Sequence, residues 1–202
     1  QELLRQIEVM RKMGMGGYFC HSRTGLVTEY LGEEWFDLIN ACADKGSEEN
    51  LETWLYDEDR WPSGTAGGLV TKNPEYRIKY IRLEILDGDD FIYDNAIIAF
   101  TAELDGFSFK DKQKVTADTD VKGKTVLKFT IEEMESSCVY NGYTYVDTMN
   151  RGATEKFIEL THEKYREKCG DRLGTSISGI FTDEPHRGSV MNGFSVFNKN
   201  AE

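Results

Sequence analysis

An α/β fold interrupted by an antiparallel all-β segment is predicted for this chain, on three observations. Helical and strand periodicities alternate over residues 1–75, no convincing helix occurs from roughly Tyr76 to Val139, and the first alternation resumes from about residue 140. Strand, helix and strand in succession with short connections make a parallel sheet, because parallel neighbours need a crossover long enough to hold a helix.

The first element follows from ELLRQIEVMRKM (2–13), where Leu3, Leu4, Ile7, Val9 and Met10 approximate the i, i+3, i+4, i+7 stripe of an amphipathic helix, stopped by Gly14. MGGYFCH then predicts a short buried strand ending at His21. After the loop SRTGLVTEYLG, a second helix is predicted from about Glu33 to Lys45, with Trp35, Leu38, Ile39 and Cys42 on one face, and LETWLYD (51–57) predicts a second strand. Over 76–139, IKYIRLEIL, FIYDNAIIAFTAEL, FSFK, KVTA and TVLKFTIEEM are β-branched and aromatic, punctuated by the turn signals DGDD, LDG and VKGK. The parallel pattern returns with YTYVDTMN (143–150) as a strand and a helix over about Ala153 to Lys168, with Phe157, Ile158, Leu160 and Tyr165 inward. Gly170 ends that helix, and SISGIFTDEP (176–185) is a further strand. The expected organisation is therefore one discontinuous α/β domain, 1–75 with 140–202, carrying a β-rich insertion at 76–139.

Composition narrows the function. The net charge of −12 and pI of about 4.8 argue against a nucleic-acid or anionic-membrane partner, since both are polyanions. Cys20, Cys42, Cys138 and Cys169 form no C-x-x-C pair and read as free thiols. No apolar run approaches the roughly 18 residues of a membrane span, and no secretory apolar segment is seen. The chain opens without Met inside a helical pattern, which predicts a preceding segment and leaves its location open.

The chemistry gathers at strand ends. Four predicted strands finish in polar residues: Cys20-His21-Ser22-Arg23, Asp57-Glu58-Asp59-Arg60, Asp147-Thr148-Met149-Asn150 and Asp183-Glu184-Pro185-His186. In a parallel βα barrel all strand C-termini open on one face, and that face holds the active site; polar loops of no function are the plainer explanation of any single ending. In GIFTDEPH, the neighbouring Asp183 and Glu184 can tune each other's ionisation as a general acid requires; the lesser alternative is that Asp183 caps a helix. His21 beside Arg23 suits hydroxyls or carboxylates. Trp61 is either a platform for a sugar face or a core tryptophan. Within WLYDEDRWPSG (54–64), strand alternation puts Asp57 and Asp59 on one side and Glu58 on the other, so the triplet reads as a substrate-binding rim, with one acid pairing with Arg60.

Other patterns fail. DTDVKGKTVLKF (118–129) opens like a calcium loop, but Lys122 and Phe129 stand where acidic ligands belong, and a Lys-Gly hairpin turn fits better. His162-Glu163 lacks a second histidine at the spacing of a helical zinc site, and neither a phosphate loop nor a G-x-S-x-G elbow is present.

As an ordered set, GGYFCHSRTGL, WLYDEDRWPSG, the Asp147–Asn150 strand end and GIFTDEP resemble large bacterial glycoside hydrolases of the α-L-rhamnosidase type, glycoside hydrolase family 106, and their uncharacterised relatives. The resemblance covers about residues 1–75 and 140–187. It implies a (β/α)8 TIM barrel with β-rich insertions, acting on an oligosaccharide or other glycoside, in the bacterial cytoplasm or beyond it. Glu184 would be the catalytic acid or base with Asp183 beside it. His21, Arg23, Asp57, Glu58, Arg60, Asp147 and Asn150 would line the substrate pocket, joined at the strand ends by Trp61 and His186. Calcium enters through the resemblance alone. A whole barrel needs about 250 residues, so this chain is expected to be a partial barrel, about strands two to five, from a larger polypeptide and inactive in isolation. Two other functions fit the same residues: a non-catalytic carbohydrate-binding protein, or a metal-dependent hydrolase with Asp57, Glu58, Asp59 and Asp183 as oxygen ligands for magnesium or calcium.

Overall fold

The computed structural model describes residues 1–23 and 25–186. The chain divides into two compact units, Gln1–Ile78 with Glu135–Glu202, and Lys79–Met134. In chain order the elements are α1 (Glu2–Lys12), β1 (Gly17–Cys20), α2 (Glu33–Glu48), β2 (Glu52–Tyr56), β3 (Lys79–Asp87), β4 (Ala96–Asp105), β5 (Ser108–Lys114), β6 (Thr125–Glu133), α3 (Arg151–Ile158), α4 (Lys164–Cys169) and β7 (Ile177–Phe181).

In the larger unit, β1, β2 and β7 form a parallel sheet in the order β1-β2-β7. Alternation along the strands sorts their side chains between two faces. Cys20, Leu55, Ile177 and Ile180 turn toward the helices. There they join Trp35, Phe36, Ile39 and Ala43 of α2 and Tyr165 and Cys169 of α4 in one core. Ile7 of α1 packs with Cys42 and Leu51 beside it. The opposite face is aromatic: Phe19, Trp54, Tyr56 and Phe181 meet at centroid distances of 4.9–6.1 Å. Phe19 is 53% exposed and Phe181 40%. Two glycines allow the close approaches. A Cβ at Gly46 would collide with the Thr53 and Tyr18 hydroxyls, and one at Gly179 would meet the Trp54 ring.

The expected partial TIM barrel is not what forms. Among the described residues the parallel sheet has three strands, and YTYVDTMN, expected as the strand between β2 and β7, does not enter it; β7 pairs directly with β2. The reason is where its backbone bonds go. Tyr145 O accepts from Ile78 N, Asp147 N donates to Tyr76 O, and Val146 makes one isolated antiparallel bridge with Arg77. Thr144, Tyr145 and Val146 are buried in succession, so their apolar run reports burial of an irregular segment instead of a sheet strand. The helix expected over 153–168 is also broken: α3 and α4 flank a π-helical turn at Glu159–Glu163.

The smaller unit is a four-stranded antiparallel sheet in the order β3-β6-β4-β5 around Ala99, Val115 and Val126. VKGK is a turn, with Asp120 Oδ1 accepting from Lys122 N and Gly123 at φ +68°. It is not the expected hairpin, because β5 and β6 are not neighbours; the turn instead meets DGDD, where Gly88 N donates to Lys124 O.

Candidate functional site at the ends of the parallel strands

The acid triplet after β2 splits as strand alternation requires, but with an outcome the sequence did not single out. Asp57 is fully buried toward the helices and accepts from three side chains. Ser63 Oγ donates to Oδ1 at 2.5 Å, while Thr182 Oγ1 and His162 Nε2 reach Oδ2 at 2.6 and 2.8 Å. Such a set offsets the cost of taking a carboxylate out of water. It also ties three elements together: the strand-end loop, the tip of β7, and the π turn that turns His162 inward. Ser63 adds a second tie, its N donating to Asp183 O and its Oγ accepting from Asp183 N. Asp59 is likewise engaged. It accepts from Ser22 Oγ at 3.0 Å and Asn141 Nδ2 at 2.8 Å, with Arg60 Nε 3.8 Å away. Both aspartates are scaffold, and Arg60 pairs with one of them as expected.

Glu58 is different. It is 1% exposed, on the aromatic side of the sheet, and among the described residues neither carboxyl oxygen has a hydrogen-bond partner. His21 Nε2 lies 3.1 Å from Oε1, an approach outside hydrogen-bonding geometry, so Nε2 too is buried without a hydrogen-bond partner. Burial, and after it the Asp183 charge, push the Glu58 carboxyl from its ordinary 4.5 up to about 7, against the opposing pull of Arg23. Burial, then the Arg23 charge, push the His21 imidazole down to about 4. At neutral pH the pair is therefore a neutral imidazole beside a carboxyl poised between its acid and base forms.

The tip of β7 and the aromatic face complete the site. The Tyr56 hydroxyl donates to Asp183 Oδ2 at 2.5 Å, and burial together with that bond holds Tyr56 above the ordinary phenol range. The His21 ring lies flat on Tyr56 at a centroid distance of 3.7 Å, fixing the imidazole plane. Glu184 is exposed at φ +41°, in left-handed backbone just before Pro185. Arg23 is exposed in the loop after β1.

The remaining expected residues divide. Trp61 is half-buried with His186 at 5.8 Å, and His186 stacks on Tyr145 at 4.7 Å. The Tyr145 hydroxyl bonds Ser63 O, so this aromatic group braces the loop that follows the acid triplet. Asp147 and Asn150 are spent on local structure. Asp147 Oδ1 accepts from Met149 N, and Asn150 Oδ1 caps α3 through Gly152 N and Ala153 N while its amide donates to Glu75 O. Sequence reasoning missed His162, Ser63, Thr182 and Tyr56. Only the Asp57/Glu58 alternation hinted that Asp57 would need partners on the helix side.

The donor set does not fit a calcium or magnesium ion. Asp57 and Asp59 have their oxygens committed to protein donors. Among the described residues no group of three or more His, Cys, Asp or Glu side chains is arranged to hold a metal. Nor is any helix among them long and apolar enough to cross a membrane. Comparison of the chain with protein-family models, curated proteins and solved structures finds no match in any of the three.

Proposed function

We propose that this chain carries the acid–base part of a glycoside-hydrolysing site, with Glu58 as the proton donor and Asp183 as the second carboxylate. One observation carries the proposal: a carboxyl buried without hydrogen-bond partners, held near neutral by desolvation and by Asp183, at the C-terminal ends of parallel strands. Glycosidic cleavage needs an acid for the leaving oxygen and a second carboxylate to activate water or attack the sugar. The environments of Glu58 and Asp183 differ in the way that separates those roles. Asp183 is oriented by Tyr56, while Glu58, held at about 7, can both give and regain a proton near neutral pH. Phe19, Trp54 and Phe181 offer apolar ring surface to a sugar on the same side of the sheet. Glu184, the acid that the resemblance favours, is exposed, whereas Glu58 is buried beside His21, so the donor role is given to Glu58.

The test is release of 4-nitrophenol from a panel of aryl glycosides by the wild-type chain, Glu58→Gln and Glu184→Gln. The proposal expects Glu58→Gln to lose about 10²–10⁴ in rate, the usual worth of a general acid. A larger loss in Glu184→Gln than in Glu58→Gln returns the role to Glu184. Saturable sugar binding with no turnover on any member of the panel supports a carbohydrate-binding function instead.

A further inference from the structure

We infer that a second copy of this chain covers the apolar face of the smaller unit's sheet, making a two-fold dimer through β3, β6 and β4. This interface does not depend on the glycosidase reading.

The alternation along β3 is the reverse of what water favours. One face carries Lys79, Ile81, Leu83, Ile85 and Asp87, and the other Tyr80, Arg82, Glu84 and Leu86. A sheet with one solvated face normally turns its polar side out. Here the apolar side is the open one: Ile81 is 65% exposed, Leu83 41% and Ile85 55%. Arg82 and Glu84 are half-buried on the side that holds the unit's own core of Ala99, Val115 and Val126, where Arg82 bonds Glu132 at 2.9 Å.

The register carries the open face across two more strands. Ile81 lies opposite Ile131, Leu83 opposite Phe129 and Ile85 opposite Leu127. β4 adds Ile98 beside Phe129 and Phe100 beside Leu127, with Lys114 of β5 at the rim. Strands of nine residues make the face about 30 Å long, and three of them make it about 14 Å wide. Side chains standing above the pleat raise its accessible area toward the roughly 800 Å² per partner of a stable interface.

Charge at the two ends selects a second copy as the occupant. The three apolar rows are closed by Lys79 and Glu133 at one end and by Asp87 and Thr125 at the other. Two such sheets pack face to face about 10 Å apart. A two-fold running across the strands at the Leu83–Phe129 row reverses the order of the rows in the partner. Lys79 then meets the partner's Asp87, Glu133 meets the partner's Thr125, and Ile81 meets the partner's Ile85. Lys79 and Asp87 are both exposed and reach across the rim, and an isologous contact makes their pairing twice.

The experiment is sedimentation equilibrium of the whole chain at low ionic strength over about 1–100 µM. A monomer–dimer equilibrium is expected, from 23.1 kDa to twice that mass. Leu83→Lys puts a charge on the axis and should give a monomer, folded by circular dichroism, over the whole range. Lys79→Asp and Asp87→Lys each set like charges opposite one another and should weaken the dimer about ten-fold. The double variant Lys79→Asp/Asp87→Lys should return to within about three-fold of wild type, and it decides the matter should Leu83→Lys fail to fold. A wild-type chain that stays monomeric leaves the face to another occupant and overturns the inference. So does a dimer that a folded Leu83→Lys does not weaken, growth beyond the dimer, or single charge variants that the double does not rescue.

Discussion

Replacing Glu58 by Gln perturbs the site with little change of shape, and its effect on stability is set by linkage. The carboxyl sits at about 7 in the folded chain against an ordinary 4.5. A group whose folded value is raised contributes stability that is fully present below about pH 4.5 and is lost as the pH rises through about 7. At about 1.4 kcal/mol per pH unit of difference, the whole contribution is at most about 3.5 kcal/mol. Gln cannot ionise, so Glu58→Gln lacks this loss. His21 acts in the opposite sense: its value is lowered to about 4, so its contribution is present above about pH 6.5 and fades as the pH falls toward 4. That contribution is common to wild type and variant and largely cancels between them. Urea denaturation of both proteins at pH 5 and pH 8 should therefore show wild type losing about 2–3 kcal/mol relative to Glu58→Gln over that range. A difference between the two proteins that does not change with pH refutes the reasoning.

Three further changes test the scaffold. Asp57→Ala strips the acceptor from Ser63, Thr182 and His162 and should cost about 3–5 kcal/mol in denaturant midpoint analysis; a cost under about 1 kcal/mol would mean that the cluster is solvated. Gly46→Ala, which in an open helix would gain about 1 kcal/mol, should instead destabilise by about 1–3 kcal/mol because the added methyl meets the Thr53 and Tyr18 hydroxyls; calorimetric melting gives the sign directly. Asn150→Ala removes the α3 cap and should lower stability by about 1 kcal/mol, a small fall in melting temperature that leaves sugar binding unchanged.

Local periodicity made most helices and strands legible. Ile7 of α1 and Trp35, Ile39 and Cys42 of α2 are buried in the cores the strands share, and the β-branched runs of 79–133 pair as an antiparallel sheet. What was not legible were the choices made by distant partners. YTYVDTMN has strand-like residues, but Ile78 and Tyr76 claim its backbone and the Tyr145 hydroxyl is drawn to Ser63. That competition leaves three parallel strands where four were expected. At the site, the strand ends were visible as polar clusters, while the division of labour within them was not. Asp57 and Glu58 are neighbours in sequence and both buried. Whether a buried acid is braced or bare depends on His162, 105 residues away, and on Thr182. Asp147 and Asn150 illustrate the same limit from the other side, since residues suited to a pocket also suit a turn and a cap.

The central claim is that the Glu58 carboxyl titrates near neutral pH. Carbon-13 NMR of the chain labelled at glutamate side-chain carboxyls, with Glu58→Gln to assign the resonance, reports its ionisation directly across pH 3–9. A midpoint at about 7 is predicted; a Glu58 resonance that titrates at its ordinary 4.5 would contradict it.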